Sequence, residues 1–438
     1  MSGETPGPAP SRTAPARRAS GPARRERRVD IDWLRTLIVL VIIPYHALFL
    51  FTVAGGTVIR RPAAAPWTPS LYLALEDWGI PFIFLLAGAA SGFALASRSL
   101  GAFARERALR LLVPAALVAV LFAPVRAYYL ALANPALLRV SPVPITDPEG
   151  MRNIGVFFLE YWRILFTTGS SIVSRNPLAH LWFVPRLLVV SLVCALPLRA
   201  LGERWPRWVE RMEASGLPPA ALALGGGLIP AAVVVALEPG WLNRLTAGFP
   251  LYDYWPAFFL CLIWFIYGYL IYASAGLRKA ARDLAFVTLA LALAGWGITL
   301  GIMLSGHAPA ADYSPVSMLY TLTRVYAMWL LTLAALGLGA RYLNVASPWQ
   351  RYLTAAAFPV YILHLPLLLP AAYYLQYLPA PWPLQLALAI VVSLGGAFAL
   401  YEYVVRRTPG VRTLFGLGAP RPAHARPPDN PPAPLAPA

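Results

Sequence analysis

Long apolar runs, each close to the length of a bilayer crossing, alternate along the chain with short segments rich in arginine. A membrane-spanning helix needs roughly 20 predominantly apolar residues. The runs 31–54, 71–97, 111–130, 178–198, 217–237, 254–274, 284–304, 318–340, 353–373 and 382–405 meet that length. They predict an all-α integral membrane protein of about ten transmembrane helices. The first run is too long for the core of a signal peptide and lacks a small-residue cleavage site, so it reads as a retained span. Pro44, Pro81, Pro185 and Pro359 fall inside spans, which is tolerated where neighbouring helices satisfy the freed carbonyls.

Composition agrees. Hydrophobic residues make up 58% of the 438 and charged residues only 13%, and the mean hydropathy is +0.60. Too little polar surface is left to cover a water-soluble globule. Residues 1–28 and 408–438 lack apolar periodicity and are rich in proline, alanine and arginine. Both read as disordered cytoplasmic tails flanking a membrane domain over 29–407. The net charge of +17 would suit a nucleic-acid partner, but its distribution argues against one. Arginine concentrates in every second loop: Arg98, Arg105, Arg107 and Arg110, then Arg199 to Arg211, Arg278 to Arg282, Arg341 and Arg351. Both tails share that bias. The charge is a topology signal that puts both termini in the cytoplasm of a cell (inner) membrane protein. The longest opposite loop, 131–177, carries an amphipathic stretch, 156–166, which suits an interfacial helix or a partial lid.

Candidate chemistry starts in the first span. Arg35 and His46 are eleven positions apart, close to three helical turns, so both project from one face about 16 Å apart. Asp32 lies one turn before Arg35 and can pair with it. Ionisable groups at membrane depth face a protein interior or a wet cavity. His46 therefore has two readings, a structural histidine or a general base for a hydroxyl. After the second span, Arg107 and Arg110 sit one turn apart in a basic segment and could clamp a phosphate; ordinary flanking charge explains them as well. His180, Arg186, Arg324 and His364 also fall within spans, and the two arginines could pair with Glu160, Glu76 or Asp77. Cys194 and Cys261 have neither metal-ligand nor disulfide spacing. There is no metal-binding cluster, phosphate loop or nucleophile elbow in the sequence.

Several short elements now form a pattern. Asp32-Trp-Leu-Arg35 with His46 matches an arginine, ten residues, histidine motif. Arg107-Ala-Leu-Arg110 matches an arginine, two residues, arginine motif. Ser91-Gly-Phe93 ends the second span. His180-Leu-Trp182-Phe183 opens the fourth. Arg341-Tyr-Leu-Asn344 and Tyr361-Ile-Leu-His364 follow in order. In this order and topology the chain resembles the membrane acyltransferase 3 family, closest to its glucan biosynthesis protein C-like branch. The stretch Phe84-Leu-Leu-Ala-Gly-Ala-Ala-Ser91 departs from the family, which more often carries bulky aromatic residues there.

The resemblance implies transfer of an acyl group, of the acetyl or succinyl class, from a cytoplasmic acyl-coenzyme A to a hydroxyl of an extracytoplasmic glycan. It makes His46 the catalytic base, with Arg35 organising the donor channel and Asp32 beside it. Arg107 and Arg110 would hold coenzyme A phosphates. Trp182, with His180, Arg186, Arg324, Tyr361 and His364, completes the candidate set; no metal is expected. Two other classes stand beside it: a multi-pass transporter or flippase that uses the same buried charges, and a non-catalytic membrane scaffold or sensor, which does not need ionisable groups at depth.

Overall fold

A computed structural model describes residues 28–51, 68–145, 147–173, 177–202, 204–245 and 255–417, with the side chains of 68–77 and Val140 outside the description. Most of both expected tails lies outside the described residues, as do the side chains of Glu76 and Asp77. The described chain is built of helices: α1 (Val29–Phe51), α2 (Thr68–Leu95), α3 (Leu100–Leu117), α4 (Ala123–Ala133), α5 (Ile154–Thr168), α6 (Phe183–Leu201), α7 (Arg204–Ala214), α8 (Pro219–Gly225), α9 (Leu228–Leu237), α10 (Trp241–Leu245), α11 (Trp255–Ala273), α12 (Ala275–Asp283), α13 (Ala285–Leu304), α14 (Pro315–Tyr342), α15 (Pro348–Leu375), α16 (Trp382–Leu400) and α17 (Pro409–Leu414). Ten helical stretches among them are long and apolar enough to cross a bilayer, and each coincides with an expected span. The protein is a multi-pass membrane protein.

The third crossing differs in detail. It starts at Leu100 and runs to Ala133, so the segment holding Arg107 and Arg110 is helix rather than loop. α3 passes through a π-helical turn, Val118–Phe122, into α4. A π turn releases a carbonyl from the regular ladder, and Trp162 of α5 donates its Nε1–H to the Val120 oxygen at 2.8 Å. α5 is the amphipathic stretch expected in the long loop. It buries Phe157, Tyr161 and Ile164 against α1, α4 and α15, while Leu159 and Phe166 are exposed.

Packing between membrane helices lacks the hydrophobic drive available in water and relies on close backbone approach at small residues. α2 and α11 meet this way. A Cβ on Gly88 would lie 1.8 Å from the Phe265 carbonyl oxygen, and one on Gly268 would lie 1.8 Å from that of Leu85. At Gly88, the small residue that departs from the family's pattern is needed for helix contact. The fifth crossing breaks between α8 and α9, where Tyr267 donates to the Gly226 carbonyl and Trp329 to that of Ala223.

The described residues reach beyond both expected boundaries. Arg28 bonds the buried carboxylate of Asp30 twice at 3.1 Å, where an acidic residue also suits the α1 N-terminus. Past 407, α17 follows, with Phe415 buried and Gly416 seated against Arg110, Pro114 and Phe358. α1 and α15 start on the same side of the bundle, where Trp33 donates to the Val345 carbonyl at 3.0 Å. Their equivalent depths bring His46 and His364 together.

Candidate active site

α1 and α15 pack side by side, and each carries a histidine well along its length. His46 Nδ1 lies 2.8 Å from His364 Nε2, with the two rings stacked at 5.0 Å. His364 Nδ1 lies 2.5 Å from the backbone oxygen of Tyr361. His180 Nε2 reaches the same oxygen at 3.0 Å, and the Tyr361 hydroxyl donates back to the His180 carbonyl at 2.7 Å. His364 is fully buried, and Ser393 donates to its carbonyl oxygen at 2.8 Å.

These bonds assign the protons. A carbonyl oxygen only accepts, so His364 Nδ1 carries a hydrogen. In neutral His364 the Nε2 then keeps its lone pair, and His46 must donate to it from Nδ1–H. His46 is left with the Nε2 lone pair, which is the basic position. The same logic makes His180 an Nε2–H donor to Tyr361. Its Nδ1 is a buried lone pair with no hydrogen-bond partner.

His46, His180 and Tyr361 line a cavity of about 390 Å³ between α1, α4 and α15. It extends from Ile38 to Leu50 along α1, about 18 Å of helix. Most of its wall is aliphatic or aromatic, Trp182 included. Arg126 of α4 is the one cation among the described lining residues, and its charge acts on both His46 and His180.

The remaining candidates lie elsewhere. Asp32 pairs with Arg35 at 3.5 Å, at the end of α1 about 21 Å from His46. Neither touches the cavity, so the partner of the histidine is another histidine and not this carboxylate. Arg35 shares the arginine-rich face with Arg107 and Arg110, and the charges of Arg110 and Arg35 both act on Arg107. Arg107 donates to Ser91 Oγ at 2.6 Å, and Ser91 passes the bond to the Ala87 carbonyl at 2.7 Å. Arg186 is buried across the Trp182 ring at 5.0 Å and reaches the Cys261 sulfur. Arg324 pairs with Glu238 at 2.8 Å, not with Glu160, which Arg163 engages and holds below the usual carboxylate range through its hydrogen bonds.

Two site features escaped the sequence reading. One is Arg126: the rule that singled out Arg186 and Arg324, an arginine inside an apolar span, applies to it equally. The other is the carbonyl of Tyr361, for which no residue type is a signal.

A family model described as an acyltransferase domain (Acyl_transf_3) matches residues 28–402. No curated protein and no solved structure matches the chain.

Proposed function

The chain belongs to the Acyl_transf_3 family of acyltransferases, and from that premise we propose that it moves an acyl group from a cytoplasmic acyl-coenzyme A to a hydroxyl of an extracytoplasmic glycan. The acyl group is of the acetyl or succinyl class, and the glucan biosynthesis protein C-like branch is the nearest in motif pattern. The membrane is the cell (inner) membrane, with both termini and the arginine-rich face in the cytoplasm. That orientation follows the positive-inside bias.

One observation carries the reading: the chain from His46 through His364 to the Tyr361 oxygen leaves His46 Nε2 as a free lone pair inside a cavity. A hydroxyl entering from the outer side gives its proton to this nitrogen as its oxygen attacks the thioester carbon. The imidazolium that forms keeps its Nδ1–H on His364 Nε2, which stabilises the charge without moving the ring. Collapse expels the thiolate of coenzyme A, and the proton on His46 returns to it. Arg35, Arg107 and Arg110 hold donor phosphates at the cytoplasmic rim, with Arg107 oriented by Ser91. A charged donor head then stays in the wet rim while only the acyl arm enters the apolar cavity.

The test uses full-length protein in lipid nanodiscs with radiolabelled acetyl- or succinyl-coenzyme A and glycan extracted from the cell envelope. Label accumulates on the glycan with the wild type. His46→Ala stays folded by thermal unfolding and transfers none, a loss of at least about 100-fold. Full activity of that variant removes the base assignment.

A further inference from the structure

Arg126 has no hydrogen bond and no carboxylate partner among the described residues. The group that acts on its charge from α5 is Tyr161, which is fully buried; burial pushes that phenol up to about 12. Tyr161 is therefore neutral and leaves the guanidinium charge uncompensated. An unpaired cation at membrane depth is costly, and such residues persist where they serve a substrate or ion. Its position also depends on an irregular backbone. The π turn Val118–Phe122 stands immediately before α4 and sets the rotation at which Arg126 meets the cavity. Trp162 pins that turn through the Val120 carbonyl. Single π turns inside α-helices recur at functional sites.

The chemistry of the cavity supplies the missing anion. Attack on a thioester carbon moves the carbonyl pair onto oxygen, and the tetrahedral intermediate is an oxyanion. The donors of the histidine cluster are committed: the His180 Nε2–H and the Tyr361 hydroxyl each bond backbone oxygen, and the His46 Nδ1–H bonds His364. Arg126 is a donor on the same cavity wall with nothing to donate to. We propose that Arg126 is a further catalytic residue, which holds the oxyanion of the tetrahedral intermediate formed beside His46.

This assignment rests on the acyl-transfer reading. In the step, the hydroxyl proton goes to His46 Nε2, the new C–O bond forms, and the carbonyl pair lodges on the oxygen facing Arg126. Re-formation of the carbonyl then breaks the C–S bond, and the thiolate takes the proton from His46. No further reactant is needed. A fixed donor aimed at charge that develops only in the transition state raises kcat without tightening substrate binding.

The test is kinetic, with the full-length protein in nanodiscs, the same glycan acceptor, and acetyl- and succinyl-coenzyme A as parallel donors. Arg126→Leu is expected to lower kcat about 100- to 1,000-fold with both donors, leaving each KM within about 3-fold of the wild type. Arg126→Lys, which keeps a charge but not the planar fork, is expected to fall between. Because the substitution removes a buried unpaired charge, Arg126→Leu is expected to unfold at the same temperature as the wild type or higher. A structural arginine would lower stability instead.

Undiminished kcat in Arg126→Leu overturns the assignment. A loss confined to the succinyl donor also overturns it, since Arg126 would then recognise the acyl carboxylate. So does a loss confined to KM for the glycan. Should Arg126→Leu fail to fold, the assignment is overturned in favour of a structural role unless Arg126→Lys folds and shows the kcat loss. A wild type that labels no glycan with either donor fails the acyl-transfer reading itself, which separates the two failures.

Discussion

A histidine can act as a base only if one ring nitrogen keeps its lone pair, and the neighbour of the other nitrogen decides which one does. In this protein the decision is made two hydrogen bonds away, by a backbone oxygen that cannot donate. His364 is a relay with a fixed sense: it accepts from His46 because it must donate to Tyr361. It is a positioning residue, acting through His46. Replacing it with phenylalanine fills the space but removes the acceptor, so the His46 ring is free to turn and to change tautomer. His364→Phe is expected to lower kcat by about 10- to 100-fold while KM for both substrates holds. His364→Gln, whose side-chain oxygen can accept from His46 Nδ1–H, is expected to recover part of the loss. Steady-state kinetics on the two variants checks this, and equal activity of His364→Phe and wild type removes the relay. The spacing of Arg35 and His46 on one face is visible in the sequence. The partner of His46 is not, because it lies 318 residues away.

Helices in a bilayer are held by how closely their backbones approach. The pair α2 and α11 shows how little room is left, with Gly88 and Gly268 each facing a carbonyl oxygen of the other helix. A single methyl at Gly268 forces the helices apart. Gly268→Ala is expected to destabilise the protein by about 1–3 kcal/mol, read as a lower unfolding temperature in detergent. Gly297, with nothing within 4 Å of a built Cβ, provides the control: Gly297→Ala is expected to leave stability unchanged or slightly raised, since alanine is the better helix former. The same two helices explain a sequence feature that reads as an anomaly. Small residues before Ser91 look like a reshaped substrate pocket, yet Gly88 is small because Phe265 occupies the space. α5 was legible as an amphipathic helix. Its inner face could be read from periodicity, but its role in pinning the π turn depends on where Trp162 meets Val120.

Among the described residues, arginine is concentrated at one end of the bundle, with Arg139, Arg152, Arg163 and Arg244 in the other loops. α1 and α15 begin there, Arg35, Arg107 and Arg110 gather there, and α17 closes against α3 beside them. If this face is cytoplasmic, the donor rim and the acceptor side lie on opposite sides of the bilayer, and acyl transfer becomes a transmembrane relay. Both cysteines, Cys194 and Cys261, are buried, so the chain is nearly silent to thiol reagents. A cysteine placed at Ser305, exposed after α13, is expected to react with an impermeant maleimide on intact cells. One at Ser215, exposed after α7, is expected to react only after permeabilisation. The reverse pattern inverts the orientation and removes the cytoplasmic donor site.

The ten crossings, the sorted arginines and the ordered short motifs are properties of consecutive residues. A bilayer asks only for a long enough apolar run, and so these were open to reading along the chain. Partnership is different, because it joins residues that only folding brings together. Arg126, Arg186 and Arg324 look alike in the sequence, each an arginine within an apolar span. Folding separates them. Arg324 is paired with Glu238, Arg186 is laid across Trp182 and against Cys261, and Arg126 alone among the three faces the histidine cavity with its charge uncompensated. Which buried charge is structure and which is available for chemistry depends on its neighbours in space, and those are assembled only in the folded bundle.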